Sequence, residues 1–166
     1  MKVHADDDGG TFCTIEEALA ELRAGRMVVL VDDQYRENEG DLVIAAEKVT
    51  PEAINFMVRN GCGILGLAMS ADICDRLNLE PLPGRNVDAQ ATPWTPHIDA
   101  RAGITTGTSA FDRARTVQVA IADDTTAADH DCPSATGPPG TVVMQTAPSS
   151  QARVRARFVW SMRMRR

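Results

Sequence analysis

Residues 32–41 of this 166-residue chain read Asp-Asp-Gln-Tyr-Arg-Glu-Asn-Glu-Gly-Asp. Five carboxylates (Asp32, Asp33, Glu37, Glu39, Asp41) share the stretch with one guanidinium, Arg36, and one glycine, Gly40. Carboxylates crowded in this way repel one another unless a cation or a positively charged partner is shared among them. That points to a divalent metal, although a merely solvated acidic turn has the same composition. A calcium loop of the EF-hand kind fails on register. With Gly40 at its sixth position, the first and twelfth ligands would be Tyr35 and Ala46, and neither can serve. The chemistry left is an open oxygen-ligand site suited to Mg²⁺ or Mn²⁺, with further ligands from elsewhere.

A second stretch able to do chemistry is Gly103-Ile104-Thr105-Thr106-Gly107-Thr108-Ser109-Ala110-Phe111-Asp112-Arg113. It is a hydroxyl-rich, glycine-flanked turn that opens a helix, with Ser109 as cap and Asp112 three residues on. Free backbone N–H groups, hydroxyls and a helix dipole together suit a phosphate. An ordinary capped helix start reads the same way.

The elements that must position these stretches follow from the pattern. Short Val/Ile/Leu-rich runs at 27–31 and 42–46 flank the acidic stretch and read as buried strands. Thr14 with Glu17 forms a capping box, and Ile15, Ala18, Leu19 and Leu22 make one helical face ending at Gly25. Thr50-Pro51-Glu52 starts a second helix with Ile54, Met57 and Val58 as its apolar stripe. Residues 63–69 are apolar almost throughout, as in a strand buried on both faces. Ser70 caps a short helix reaching Leu77. Residues 78–93 form a long Pro- and Gly-containing loop, and 92–99 a strand broken or confined to an edge by Pro93 and Pro96. Alternating strands and helices favour an α/β layered fold.

Composition sets the outer bounds. At 43% hydrophobic the chain can build one core, and it has no run of about 18 apolar residues for a membrane span. Met-Lys-Val-His followed by Asp6-Asp7-Asp8 lacks a signal-peptide core, so the expected location is the cytoplasm. Cys13, Cys62, Cys74 and Cys132 form no Cys-x-x-Cys pair, and Cys62 and Cys74 read as small buried residues. His4 and His97 read as surface residues. The net charge of −6 is uneven: residues 132–166 carry six arginines and no acid, leaving 11 basic and 23 acidic groups, net −12, before them. Such a break marks a boundary.

The order Asp32-Asp33-x-x-Arg36-Glu37-Asn38-Glu39-Gly40-Asp41 resembles the signature loop of 3,4-dihydroxy-2-butanone 4-phosphate synthases, enzymes of riboflavin biosynthesis. Thr105-Thr106-Gly107-x-Ser109-x-x-Asp112-Arg113, Arg59-x-Gly61-x-Gly63 and the approach from Asp99 to Gly103 are similar to further family segments, in order, over roughly residues 12–131. The resemblance implies an α/β sandwich, active as a homodimer with sites near the interface. It implies a lyase that converts D-ribulose 5-phosphate to formate and 3,4-dihydroxy-2-butanone 4-phosphate with Mg²⁺ or Mn²⁺. In that scheme Glu37 is the metal ligand and a catalytic and substrate-binding residue, and Glu39 is an acid/base. Arg36 and Asp41 bind the sugar phosphate, and Thr105 and Thr106 lie near its phosphate.

After residue 131 the family's Arg-Pro-Gly-His and Gly-His-Thr-Glu-Ala segments do not follow. Only Pro138-Pro139-Gly140 stands where the first would be, and no histidine comes after His130. The expected division is an incomplete synthase-like domain over 1–131 and an irregular, poorly packed basic tail over 132–166. Within that tail, 142–144 and 158–160 could add short strands. A shifted reading frame, a degenerate paralogue or a functional basic arm would each produce such a tail. Loss of the histidine segment leaves Glu37 a poor hold on the metal, so impaired turnover is expected. The alternatives are an inactive pseudo-enzyme that dimerises with an intact synthase, and a basic-tailed binding module. The second predicts nucleic-acid affinity that falls with salt and disappears with residues 132–166. A membrane is not an expected partner, and nucleic acid is not the favoured one.

Overall fold

The computed structural model describes residues 12–31, 35, 39–81, 94–131, 143–146 and 158–165. Helix α1, Ile15–Arg23, starts as its capping box dictates. Thr14 N–H donates to Glu17 Oε2 at 2.8 Å, and Glu17 N–H returns a bond to Thr14 Oγ1 at 3.2 Å. It ends where Gly25 turns to φ +78°, a left-handed angle that costs glycine little. Strand β1, Val28–Val31, pairs antiparallel with β2, Glu39–Ala45, in a register that sets Val28 opposite Val43 and Val31 opposite Gly40. The acidic stretch therefore joins the two strands of a hairpin.

Helix α2, Pro51–Phe56, is capped by the Thr50 hydroxyl, which accepts from Ala53 N–H at 3.2 Å. It widens into a π-helical turn over Met57–Gly61. Strand β3, Leu65–Met69, and helix α3, Ala71–Arg76, follow. Short strand β4, Asp99–Ala100, precedes helix α4, Ala110–Ile121, and pairs with β5, His130–Asp131. Strands β6, Val143–Thr146, and β7, Phe158–Arg165, complete the chain.

The main sheet runs β1-β2-β7-β3-β6. Strand β7 is antiparallel to both neighbours, and β6 lies parallel to β3 at the far edge. Alternation along β2 divides the core, as a period of two requires. Leu42 and Ile44 join the large cluster that contains Ile54, Met57, Leu67, Met69, Ile73, Ile98 and Val117, so α2, α3 and α4 cover that face. Val43 packs instead with Leu22 of α1, Val28, Ala68 and Trp94. The result is an α/β layered arrangement, as expected. Arg76 of α3 donates to the Ala122 and Asp123 carbonyls just past the end of α4, at 3.1 and 3.0 Å, where a cation also suits the helix dipole.

Four expectations are corrected. Strand β1 is not buried: it is an edge strand, with Val29, Leu30 and Val31 at 43–49% exposure. On α1 only Leu22 is buried, while Ile15 and Leu19 face outward. Val58 leaves the α2 stripe because an i→i+5 turn rotates the positions after Met57 out of helical phase. Ser70 occupies the N-cap position of α3, but its hydroxyl makes no capping bond. Within the tail, two stretches are strands, close to where 142–144 and 158–160 were open to that reading. Residues 143–146 and 158–165 are strands of the main sheet, and β7 sits in its middle. The loop residues 82–93 and the tail residues 132–142 and 147–157 lie outside the described residues.

Candidate functional site

Residues Arg36 and Glu37, with Asp32 and Asp33, lie outside the described residues. What the structure fixes is their frame. Strand β2 begins at Glu39, earlier than the apolar run suggests, so Glu39 and Asp41 belong to a strand rather than to the loop. Asp41 stands opposite Leu30 and is half-buried. On the β7 side the register shifts between Gly40 and Leu42, an irregularity of the kind that re-aims side chains beside functional loops. Among the described residues no three His, Cys, Asp or Glu side chains gather into a metal-binding group.

The second stretch is built around a carboxylate. Asp112, 4% exposed in the first turn of α4, takes the Thr105 N–H on Oδ1 at 3.0 Å. On Oδ2 it takes the Thr105 hydroxyl at 2.9 Å and the Thr106 and Gly107 N–H groups at 3.1 Å each. Its own N–H donates to the Ser109 hydroxyl at 3.1 Å. Burial works to raise the Asp112 pKa, but the bonds from Thr105, Thr106 and Ser109 outweigh it and hold the carboxyl below its ordinary value. The expectation of free backbone N–H groups at this turn is therefore corrected: the chain's own carboxylate fills that nest. What the turn presents to solvent is the exposed hydroxyl pair of Thr106 and Thr108, 2.8 Å apart. Thr108 was not singled out in the sequence, and its signal was the alternation of hydroxyls at 106 and 108.

Beneath the turn, Gly107 has φ +76°, and a Cβ there would meet Asp99 Oδ2 at 2.6 Å. Burial raises the Asp99 pKa, and Asp112 adds to this, while His97 and Arg113 pull it back. Asp99 Oδ1 and Arg113 Nε are buried without a hydrogen-bond partner among the described residues. Strand β4 is tied to α4 by Ala100 N–H donating to the buried Thr116 hydroxyl at 3.1 Å.

His130, 5% exposed on β5, is a buried histidine that the sequence did not assign to the core. Its Nδ1 has no partner among the described residues, and Nε2 lies 3.4 Å from Thr125 Oγ1. Burial lowers its pKa, against the raising effect of Asp129 and Asp131. The folded chain thus binds the proton less readily than the unfolded chain, whose histidine titrates near 6.5. The contribution of His130 is complete above that value and is lost as pH falls through it toward the folded pKa. Urea melts at pH 7.5 and 5.5 should show the parent losing more stability on acidification than His130→Leu. Equal losses would exclude a buried neutral ring.

The cysteines divide. Burial, with Asp75 and Asp72 adding, pushes the Cys74 thiol up to about 11, so it is an inert core residue. Cys62 is exposed at φ +51°, which corrects its reading as buried. His97 is exposed, as expected.

A five-stranded mixed sheet with helices on both faces, an acidic hairpin connection and a carboxylate-clamped threonine turn define an α/β layered protein. The sequence model of the 3,4-dihydroxy-2-butanone 4-phosphate synthase family matches residues 16–158, and the chain belongs to that family. The family model extends to residue 158, while two curated relatives align over 71% and 72% of the chain, in line with a resemblance that stops near residue 131. The riboflavin biosynthesis protein RibBA of Aquifex aeolicus is 50% identical over 120 residues, 71% of this chain and 30% of that protein. The 3,4-dihydroxy-2-butanone 4-phosphate synthase of Photobacterium phosphoreum is 50% identical over 119 residues, 72% and 33%. The chain thus spans about a third of the length of these curated relatives. Among solved structures, the two-domain synthase RibBX of A. baumannii superposes with a TM-score of 0.78 at 34% identity, covering 92% of this chain and 48% of that one. A synthase in complex with two magnesium ions superposes with a TM-score of 0.81 at 30% identity, covering 91% and 76%. No helix among the described residues is long and apolar enough to cross a membrane.

Proposed function

We propose that this chain carries the sugar-phosphate site of a lyase that converts D-ribulose 5-phosphate to formate and 3,4-dihydroxy-2-butanone 4-phosphate, with impaired turnover. The observation that carries the reading is the family match over 16–158, which contains the whole acidic hairpin. The donor set of the sequence fits a hard divalent cation: five carboxylates within residues 32–41, a stretch that connects the paired strands β1 and β2. Glu37 would hold Mg²⁺ or Mn²⁺, and the bound ion would polarise the ketose carbonyl. Arg36 offers a two-pronged donor to the sugar phosphate, and Asp41 accepts from its hydroxyls. Glu37 and Glu39 are the carboxylates that would take and return protons. Thr105 and Thr106 lie at the phosphate end. The likeness to a relative crystallised with two magnesium ions supports a metal here. The absence of histidine from residues 131–166 supports a weakened hold on it. Homodimerisation and a cytoplasmic location accompany this reading.

Titration calorimetry with D-ribulose 5-phosphate, with and without Mg²⁺, tests it. Metal-dependent binding by the parent is expected, weakened at least about 10-fold in Glu37→Gln, since removing one charged partner costs about 1.5–3 kcal/mol. Formate release should stay well below about 1 per second. Metal-independent or absent binding would sink the site assignment. Turnover of about 1–1000 per second would sink the impairment alone.

A further inference from the structure

We propose that Asp112 is a positioning residue for phosphate recognition: it fixes the Thr105–Thr106–Gly107 turn so that the Thr106 and Thr108 hydroxyls, not the backbone N–H groups, meet the phosphate. The proposal rests on the functional reading above and adds the device that makes its phosphate end.

Four donors converge on one buried carboxylate. They are the N–H groups of Thr105, Thr106 and Gly107 and the Thr105 hydroxyl, all within 2.9–3.1 Å. Ser109 caps the same helix turn and so fixes where Asp112 stands. With those donors committed inward, Thr105, though exposed, shapes the turn and has no hydroxyl proton left to offer a ligand. The Thr106 and Thr108 hydroxyls remain exposed, and in a hydroxyl pair one donates while the other keeps a proton free to donate outward. Thr108 N–H also reaches Thr106 Oγ1, at 3.4 Å, so the pair is seated on the turn itself.

The turn is held from below as well. Gly107 at φ +76° lets the Asp99 carboxylate close against its backbone, where any Cβ would meet Asp99 Oδ2 at 2.6 Å. Two carboxylates under an anion site would ordinarily repel the ligand. Here the Asp112 charge is spread over four inward donors, while burial raises the Asp99 pKa and so disfavours its charged form, with the nearby Arg113 guanidinium opposing that shift.

The test uses the full chain with Mg²⁺ and compares binding of D-ribulose 5-phosphate with that of D-ribulose, alongside a thermal melt. An amide at position 112 accepts fewer of the four donors and turns an N–H₂ toward the rest. Asp112→Asn should therefore weaken the phosphate ester about 10-fold or more while leaving D-ribulose within about twofold. Gly107→Ala displaces the same turn while leaving the residue at 112 an aspartate, and should give the same collapse of preference. It decides the matter if Asp112→Asn does not fold. An unchanged preference for the phosphate ester overturns the proposal while the functional reading stands. Equal weakening of both sugars also overturns it, because that is the signature of a merely structural residue. If the parent binds neither sugar, the functional reading fails and this proposal falls with it.

Discussion

A chain ended at residue 157 is expected to lose cooperative folding altogether. Strand β7 supplies the ladder on one side of both β2 and β3, with register partners from Glu39–Arg165 to Ala45–Phe158 on one edge and from Leu65–Ser161 to Ala68–Phe158 on the other. Without it the sheet separates into a β1–β2 hairpin and a β3–β6 pair, and two-stranded units are marginal in water. Each lost backbone bond is worth about 1 kcal/mol net, and more where its partner stays buried. A domain holds only about 5–15 kcal/mol in reserve. Circular dichroism of the truncated chain should show no sigmoidal melt, and a hydrophobic dye should bind strongly. A melt matching the full chain would mean that β7 contributes nothing and that residues 158–165 are a dispensable appendage. The same outcome would revive a detachable basic arm, since Arg163 and Arg165 belong to this strand.

The start of β7 at 158–160 was open to a strand reading, and the composition hid its extent to Arg165. Six arginines and no acid over 132–166 suggest a solvated segment, yet Met162-Arg163-Met164-Arg165 alternates with the period of a strand, directly after Phe158-Val159-Trp160. Where local chemistry alone decides, the sequence was sufficient. Thr14 with Glu17, Thr50 before Pro51, and Ser109 before Asp112 each start a helix where expected. Where a neighbour decides, it was not. An apolar run such as 27–31 is the same whether a strand is central or at an edge, and only the pairing shows that β1 has one neighbour. The expectation of free N–H groups at residues 105–107 failed for a related reason. Spacing reveals that N–H groups are available at a helix start, but not that a carboxylate seven residues past Thr105 folds back to claim them. His130 and Cys62 exchanged the burial that their residue types suggest, each through the backbone holding it: a β4–β5 bridge for the first and a left-handed turn for the second.

Leu67→Ala is expected to cost about 2–5 kcal/mol, the range for emptying a fully enclosed leucine site. Leu67 is 0% exposed, lies mid-way along β3, and stands opposite Met144 of β6 and Val159 of β7. Backbone pairing on both sides prevents the strand from sinking into the vacated space, which places the cost toward the upper part of that range. At about 2–4 °C per kcal/mol for a chain of this size, the melt should fall by roughly 7–20 °C. Val29→Ala is the matched control, because Val29 is 49% exposed on the edge strand β1 and its loss should cost under about 1 kcal/mol. Equal effects at the two positions would mean that β3 is not interior, and that the helices α2, α3 and α4 do not close over it. The comparison also bears on the site. The Asp112 clamp is carried by α4, whose Ala114, Val117 and Ala120 pack in the same cluster as Leu67. A cavity that loosens α4 should therefore weaken phosphate-ester binding together with stability, whereas Asp112→Asn should weaken phosphate recognition selectively. Separating those two signatures distinguishes a core that supports the site from a residue that shapes it.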